Sequence, residues 1–270
     1  DWSLLKNHVL PAIGHHYMDE VRRQHLVDLV TRLQLDHKPS STNRVIVLIR
    51  HLFNRAIDWE VPGVARNPSS GIPMLANENQ PQRFLSMEEA QRLMRAVDQS
   101  ESPMLKYVVT MLILTGARRS EVLHAKWQDF DCPARQWLIP KSKSGRPRYA
   151  PLSDPAIRML ENMPRFEGCE YVFPNPATLK PYVQIFNAWD TARKRARLND
   201  LRMHDLRHSY ASFLVNLGHS LYEVQHLLGH AQPTTTQRYA HLSNERLQEA
   251  TSAVGASLEK AFGANTIEAA

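Results

Sequence analysis

The sequence predicts a two-domain, mainly helical protein with a small antiparallel β-sheet in its second half. Three observations carry this. At 270 residues the chain exceeds what one ordinary core requires. Its apolar residues recur mostly at helical spacing, with one stretch of strand, turn and strand pattern. A run rich in proline, serine and polar residues, from Asn67 to Arg83, separates the two halves.

Within the first half, Leu26, Leu29, Val30 and Leu33 repeat at helical spacing. Val45, Leu48, Leu52, Phe53 and Ala56 do so again after the start signal Ser41-Thr42-Asn43. These define a helical domain over residues 1–76, with a linker at 77–83 and a second domain over 84–270. Ser86 and Glu89 have the spacing of a capping box that opens the next helix. Pro103 behind Ser102 opens another, which carries Leu105, Val108, Val109, Leu112 and Ile113 on its apolar face and ends at Gly116. Trp137-Leu138-Ile139 and Tyr149-Ala150-Pro151-Leu152 flank the polar turn Lys141 to Pro147, which puts Lys143 on a β-hairpin. From Asp205 the chain is helical, with Leu206, Tyr210, Phe213, Leu214 and Leu217 inward and Gly218 as terminator. Ser220 and Glu223 form a second capping box, and Thr234 and Gln237 a candidate third. Tyr239 is then expected in the second turn of the last short helix. Beyond it, Leu247, Ala250, Thr251, Val254, Leu258 and Phe262 form one stripe of an amphipathic tail helix.

Lys and Arg outnumber Asp and Glu by 33 to 27, a net charge of +6 with pI near 9.4, which favours a polyanionic partner. Cys132 and Cys169 have no ligand or disulfide spacing, so a reducing, cytoplasmic setting is expected. No run approaches the roughly 18 apolar residues of a membrane span, and no signal peptide opens the chain. It begins at Asp1 inside what reads as an element, as a fragment lacking an N-terminal portion would.

The chemistry lies in five short motifs: Thr115-Gly116-Ala117-Arg118-Arg119-Ser120-Glu121, Lys141-Ser142-Lys143-Ser144-Gly145, His204-Asp205-Leu206-Arg207-His208, Leu227-Leu228-Gly229-His230 and Thr234-Thr235-Thr236-Gln237-Arg238-Tyr239. In this order, the set resembles the active site of the tyrosine recombinases, the family of phage integrases, Xer proteins and Cre. Asn43-Arg44-Val45 and Phe53-Asn54-Arg55-Ala56-Ile57 resemble the first domain of prophage and island integrases. Ala117 departs from the Leu commoner before the first arginine, and His230 stands where some relatives have Trp. The resemblance implies a helical SAM-like core-binding domain joined to a tyrosine-recombinase catalytic domain, forming a clamp on DNA.

A phosphodiester repels nucleophiles and has a poor leaving group. Arg118 and Arg207 address the first difficulty, because a guanidinium stays charged and binds phosphate bidentately. By the resemblance, Tyr239 is the nucleophile, Lys143 the general acid for the 5′-oxygen, and His204 and His230 further phosphate donors, with His204 also a candidate acceptor of the phenol proton. Glu121 and His208 are supporting residues behind these. The implied reaction joins DNA to Tyr239 through a 3′-phosphate and passes through a Holliday junction, as in integration and excision of a prophage or genomic island. A Xer-type resolvase of dimers shares that chemistry, whereas an idle DNA-binding protein or a type IB topoisomerase would not exchange strands.

No cofactor is implied, since neither a P-loop nor a carboxylate cluster is present. The implied partners are double-stranded attachment-site DNA, other protomers in a tetramer on that DNA, a directionality factor and a host DNA-bending protein; the setting is cytoplasmic and nucleoid-associated. Arg44 and the run Arg193, Lys194, Arg195 and Arg197 are candidate DNA contacts, though such a run is also what a solvated basic face looks like. Three blander readings compete. His204, His208, His230 and His241 could hold zinc, but Arg207 beside them disfavours a dication. Gly218 to Tyr239 could be a plain helix-turn-helix, which leaves Arg118 and Lys143 unexplained. A lone helical tyrosine is ordinarily a packing residue.

Overall fold

Amphipathic periodicity builds most of this chain into helices. The computed structural model describes residues 1–76, 83–140, 147–240, 251–254 and 256–257. Tertiary contacts divide the chain into two units, Asp1–Pro81 and Gln82–Ala270. As the sequence predicts, the architecture is mainly α-helical with a small antiparallel sheet.

In the first unit, α1 (Trp2–Leu4), a π turn over Leu5–Val9 and α2 (Leu10–Ile13) run on without a break, followed by α3 (Arg23–Asp36) and α4 (Pro39–Asp58). Leu26, Leu29, Val30 and Leu33 are all buried, as their spacing requires. Along α4 the buried stripe is Val45, Ile46, Ile49, Phe53 and Ala56, whereas Leu48 is half-buried and Leu52 is exposed. The stripe is turned from the expected one because it faces α3 and the Leu5–Val9 turn, which pack on α4. The helix also starts before Ser41-Thr42-Asn43, with Pro39 in its first turn behind Lys38. Asn43 is instead buried and clasps Leu75, donating to its carbonyl at 2.9 Å and accepting from its N–H at 2.8 Å. The Pro- and Ser-rich run is likewise tied down: Asn67 donates to the Arg50 carbonyl at 3.0 Å, and Arg50 donates to the Ile72 carbonyl at 3.0 Å.

The second unit opens with α5 (Met87–Asp98), capped by the expected Ser86 and Glu89 box. The central helix α6 (Leu105–Thr115) begins two residues later than expected, because Ser102 to Met104 form a turn closed by the Leu105 N–H on the Ser102 carbonyl. Its Leu105, Val108, Val109, Met111 and Leu112 are buried, and α5, the later helix α10 (Asp205–Asn216) and the shorter α7 (Arg119–Leu123) and α8 (Asp154–Asn162) pack around it. The strands β1 (Phe130–Asp131), β2 (Gln136–Ile139) and β3 (Arg148–Pro151) form one antiparallel sheet, in which Trp137 pairs with Ala150 and Ile139 with Arg148. The expected hairpin is therefore present, but its tip at 141–146, with Lys143, lies outside the described residues. A second hairpin, β4 (Pro174–Asn175) and β5 (Lys180–Pro181), has no counterpart in the sequence reading.

The unit continues with α9 (Phe186–Arg195), α10 (Asp205–Asn216), α11 (Leu221–Leu228) and α12 (Thr234–Gln237). Helix α10 is buried on more than one face: Leu206, Ala211 and Val215 pack inward, and so do Arg207, His208, Ser209 and Ser212. Leu217, expected inward, follows the helix end and is 73% exposed. The Ser220 and Glu223 box forms on α11, whereas the third expected box does not: Pro233 takes the N-cap position of α12 without a side-chain bond. Of the expected tail helix, 251–254 and 256–257 are helical and exposed, and Leu247, Ala250, Leu258 and Phe262 lie outside the described residues.

Gly116 ends α6 at φ +61°, and a Cβ there would lie 2.3 Å from Tyr210 Cδ1 and 2.9 Å from Leu228 Cδ2. Gly116→Ala should therefore lower stability by about 1–3 kcal/mol through left-handed strain alone, with steric displacement added. Urea unfolding of the full chain measures this, and an unchanged midpoint would show that the turn tolerates a side chain.

Candidate active site

Gly116 turns the chain so that Arg118 becomes the N-cap of α7, with Glu121 three residues on. Both bonds of the pair run from Arg118 to the Glu121 carboxylate. Glu121 Oε2 accepts from the Arg118 N–H at 2.8 Å, while Oε1 accepts from the Arg118 guanidinium at 2.7 Å. A second arginine shares the carboxylate, since Arg148 donates to Glu121 Oε2 at 2.8 Å. Burial opposes the charge on Glu121, but Arg148 and the Arg118 hydrogen bonds outweigh it and hold its carboxyl below the usual range. Arg148 was not singled out from the sequence. The signal for it was available: strand alternation puts position 148 on the same face as buried Ala150, and an inward arginine needs an acid. Arg148 also donates to the Leu227 carbonyl at 3.2 Å and runs under Gly229, where a Cβ would lie 2.4 Å from its Cδ.

Arg207, on the first turn of α10, is buried and donates to the carbonyls of Gly116 and Leu228, both at 2.7 Å. Burial, and then repulsion from Arg118 and Arg148, lower its pKa to about 10, so it stays charged at neutral pH. His230 follows the left-handed Gly229 that ends α11, and its Nδ1 lies 2.8 Å from Thr236 Oγ1. His204 caps α10, its ring edge-on to His208 with centroids 5.0 Å apart. His208 Nδ1 lies 2.6 Å from the Tyr239 hydroxyl, and both side chains are buried. Desolvation is the leading cause in all three histidines, lowering His204, His208 to about 4 and His230 to about 3. Burial likewise raises the Tyr239 phenol.

Arg118, His204, Arg207, His208, His230 and Tyr239 thus line one cavity of about 400 Å³, joined by Gln232, Thr235 and Arg238, which the sequence reading left aside. Tyr239 reaches it from a turn two residues past α12, not from the second turn of a helix. Two links decide this: the Tyr239 N–H bonds the Thr236 carbonyl at 3.0 Å, and buried Thr236 is tied to His230. Glu121 stands behind Arg118 and outside the cavity lining. Among the described residues, no group of three or more His, Cys, Asp or Glu side chains is arranged to hold a metal. Of the basic run at the end of α9 and just past it, Arg193 and Lys194 both pair with Asp190 and Arg195 donates to the Gln99 carbonyl at 2.8 Å; Lys194, Arg195 and Arg197 are exposed. Arg44 is exposed on α4.

Comparison with known proteins agrees with this geometry. The profile of the phage integrase family matches residues 83–246. The chain belongs to that family. It is 33% identical over 212 residues to the integrase of Salmonella phage P22, covering 72% of this chain and 52% of that protein. It is 30% identical over 228 residues to the tyrosine recombinase XerC of Pediococcus pentosaceus, covering 78% and 74%. The chain thus spans about half the length of the P22 integrase. Its fold is that of the lambda integrase solved as a tetramer bound to a Holliday junction, with a TM-score of 0.68, 17% identity, and coverage of 86% of this chain and 70% of that one. No helix among the described residues of this integrase-family chain is long and apolar enough to cross a membrane.

Neutral His208, which is buried, and half-buried His230 give the fold an acid-sensitive centre. A folded pKa of about 4 for His208, against about 6.5 when unfolded, means that the unfolded chain binds the extra proton between these values. Stability from His208 is complete above the unfolded value and falls as pH drops toward 4, by about 1 kcal/mol between pH 6 and 5. His230 adds in the same direction. Urea midpoints across this range should shift accordingly, and less steeply in His208→Asn; equal slopes would show that His208 titrates alike in both states.

Proposed function

We propose that this chain is a site-specific DNA recombinase that cuts and rejoins strands through a 3′-phosphotyrosine, integrating or excising a mobile element. The observation that carries the reading is the convergence of two arginines, three histidines and one tyrosine on a single cavity. In this role Arg118 and Arg207 bind the non-bridging oxygens of the scissile phosphate. Arg207 spends donors on the Gly116 and Leu228 carbonyls, which fix its plane, and has others of its five N–H groups left for phosphate. His230, neutral and tied to Thr236 through Nδ1, offers Nε2 to the same oxygens. Negative charge that builds on the non-bridging oxygens in the transition state meets donors already in place.

Tyr239 attacks phosphorus, its oxygen–phosphorus bond forms as the bond to the 5′-oxygen breaks, and Lys143 protonates that oxygen. The ester conserves the bond energy, so a 5′-hydroxyl from a partner duplex can displace the tyrosine and seal the exchanged strand. The lambda integrase tetramer on a Holliday junction supports assembly of protomers on paired sites. Arg44 and the exposed Lys194 and Arg197 would add backbone contacts to the duplex. A directionality factor, a DNA-bending protein and a cytoplasmic, nucleoid-associated setting belong to the same proposal. The coverage of XerC favours dimer resolution as a second use of this chemistry, which mapping the exchanged junctions in the genome distinguishes.

Tyr239→Phe should keep DNA binding and lose covalent attachment, because only the nucleophilic oxygen is removed; an SDS-resistant adduct with this variant would sink the reading. Lys143→Ala should cleave poorly, by about 100-fold or more, yet recover on a substrate with a 5′-bridging phosphorothiolate, whose leaving group needs no proton. Lack of recovery would remove Lys143 from the acid role.

A further inference from the structure

Cleavage has to dispose of the phenol proton. We infer that His208 is the catalytic base that takes this proton from Tyr239 during strand cleavage, and returns it as the tyrosine leaves during rejoining. The inference rests on the recombinase reading above and assigns a role within that site.

Four observations carry it. The Tyr239 hydroxyl is 2.6 Å from His208 Nδ1, a hydrogen bond to the reacting atom itself. Tyr239 is only 1% exposed, so bulk water does not stand in for the base. The His204 ring, the acceptor expected from the sequence, stands edge-on to His208 with centroids 5.0 Å apart, and among the described residues the Tyr239 hydroxyl bonds His208 rather than His204. His208 is neutral in the resting site, which leaves Nδ1 free to accept, because burial disfavours its cation and Asp205 only partly offsets that. The charged and titratable groups that face it are His204, Asp205 and Arg202 around the start of α10 and Arg238 beside the tyrosine. A weak base suffices here, since the phenol oxygen turns strongly acidic as it bonds to phosphorus. The negative phosphorane then favours the imidazolium.

The balance closes without solvent. In cleavage the Tyr239 oxygen bonds to phosphorus, the bond from phosphorus to the 5′-oxygen breaks, the phenol proton passes to His208 Nδ1 and a Lys143 proton passes to the 5′-oxygen. In rejoining the incoming 5′-hydroxyl gives its proton to Lys143, and His208 gives its own to the departing phenolate oxygen. One exchange leaves both residues as they began.

The test uses the full chain and a nicked duplex bearing the crossover sequence recovered from the genomic junction of its element. His208→Asn keeps a hydrogen-bond acceptor but cannot hold the proton. It should bind the duplex as the parent does and form the covalent adduct about 100-fold more slowly. His208→Ala should regain adduct formation with added imidazole, in proportion to the neutral imidazole present. In His208→Asn, replacing Tyr239 with a fluorotyrosine, whose phenol ionises more readily, should shrink the deficit, which a purely structural loss would not allow. Parental rates for His208→Asn, or a deficit that neither imidazole nor fluorination relieves, would overturn the inference. Absence of an adduct with the parent chain would instead overturn the recombinase reading beneath it.

Discussion

The site depends on one buried cation, Arg207, that forms no ion pair with a carboxylate among the described residues. Arg207 is held by the carbonyls of Gly116 and Leu228, and each belongs to a helix end: Gly116 caps α6, and Leu228 is the last residue of α11. Helix C-termini present unsatisfied carbonyls and the negative end of the helix dipole, so two of them aimed at one guanidinium resolve three problems together. The cation gains two acceptors, two orphan carbonyls are satisfied, and the ends of α6 and α11 are fixed against the start of α10. Arg118 and His230, which follow these two helix ends by two residues each, are placed by the same contact.

A second layer makes that arrangement rigid. Glu121 binds Arg118 and Arg148 together, and Arg148 reaches the Leu227 carbonyl beneath Gly229. One carboxylate therefore links α7, β3 and the end of α11. Because β3 pairs with β2, the link also ties that hairpin to Arg118. Removing one partner of such a network is costly because the remaining charges stay buried without compensation.

Charge in the cavity is divided by type. The arginines remain cationic, while burial and the neighbouring guanidiniums keep His208 and His230 neutral. The site thus offers fixed positive charge to an anion alongside imidazoles that are free to exchange a proton. One environment produces both, since a guanidinium retains its proton at a lowered pKa of about 10 whereas an imidazole at about 4 does not.

Local rules made much of the molecule legible from its residues. Gly116 ended α6 as expected and put Arg118 just beyond it, the Ser86 and Ser220 boxes formed where their spacing placed them, and Trp137 to Ile139 paired with Arg148 to Ala150. These features depend on a few neighbouring residues, whose backbone chemistry is nearly the same in any context. The misplaced features were decided by distant packing. Leu217 is exposed since α10 spends its burial on Arg207, His208 and the small residues against α6, and Asn43 is inside its helix because Leu75 returns to meet it. The order and chemistry of Arg118, His204, Arg207, His230 and Tyr239 are written in the sequence. That Arg148 shares Glu121, and that His208 meets the phenol, is a property of the tertiary structure alone, because both contacts join segments whose approach is set by helix packing rather than by spacing along the chain.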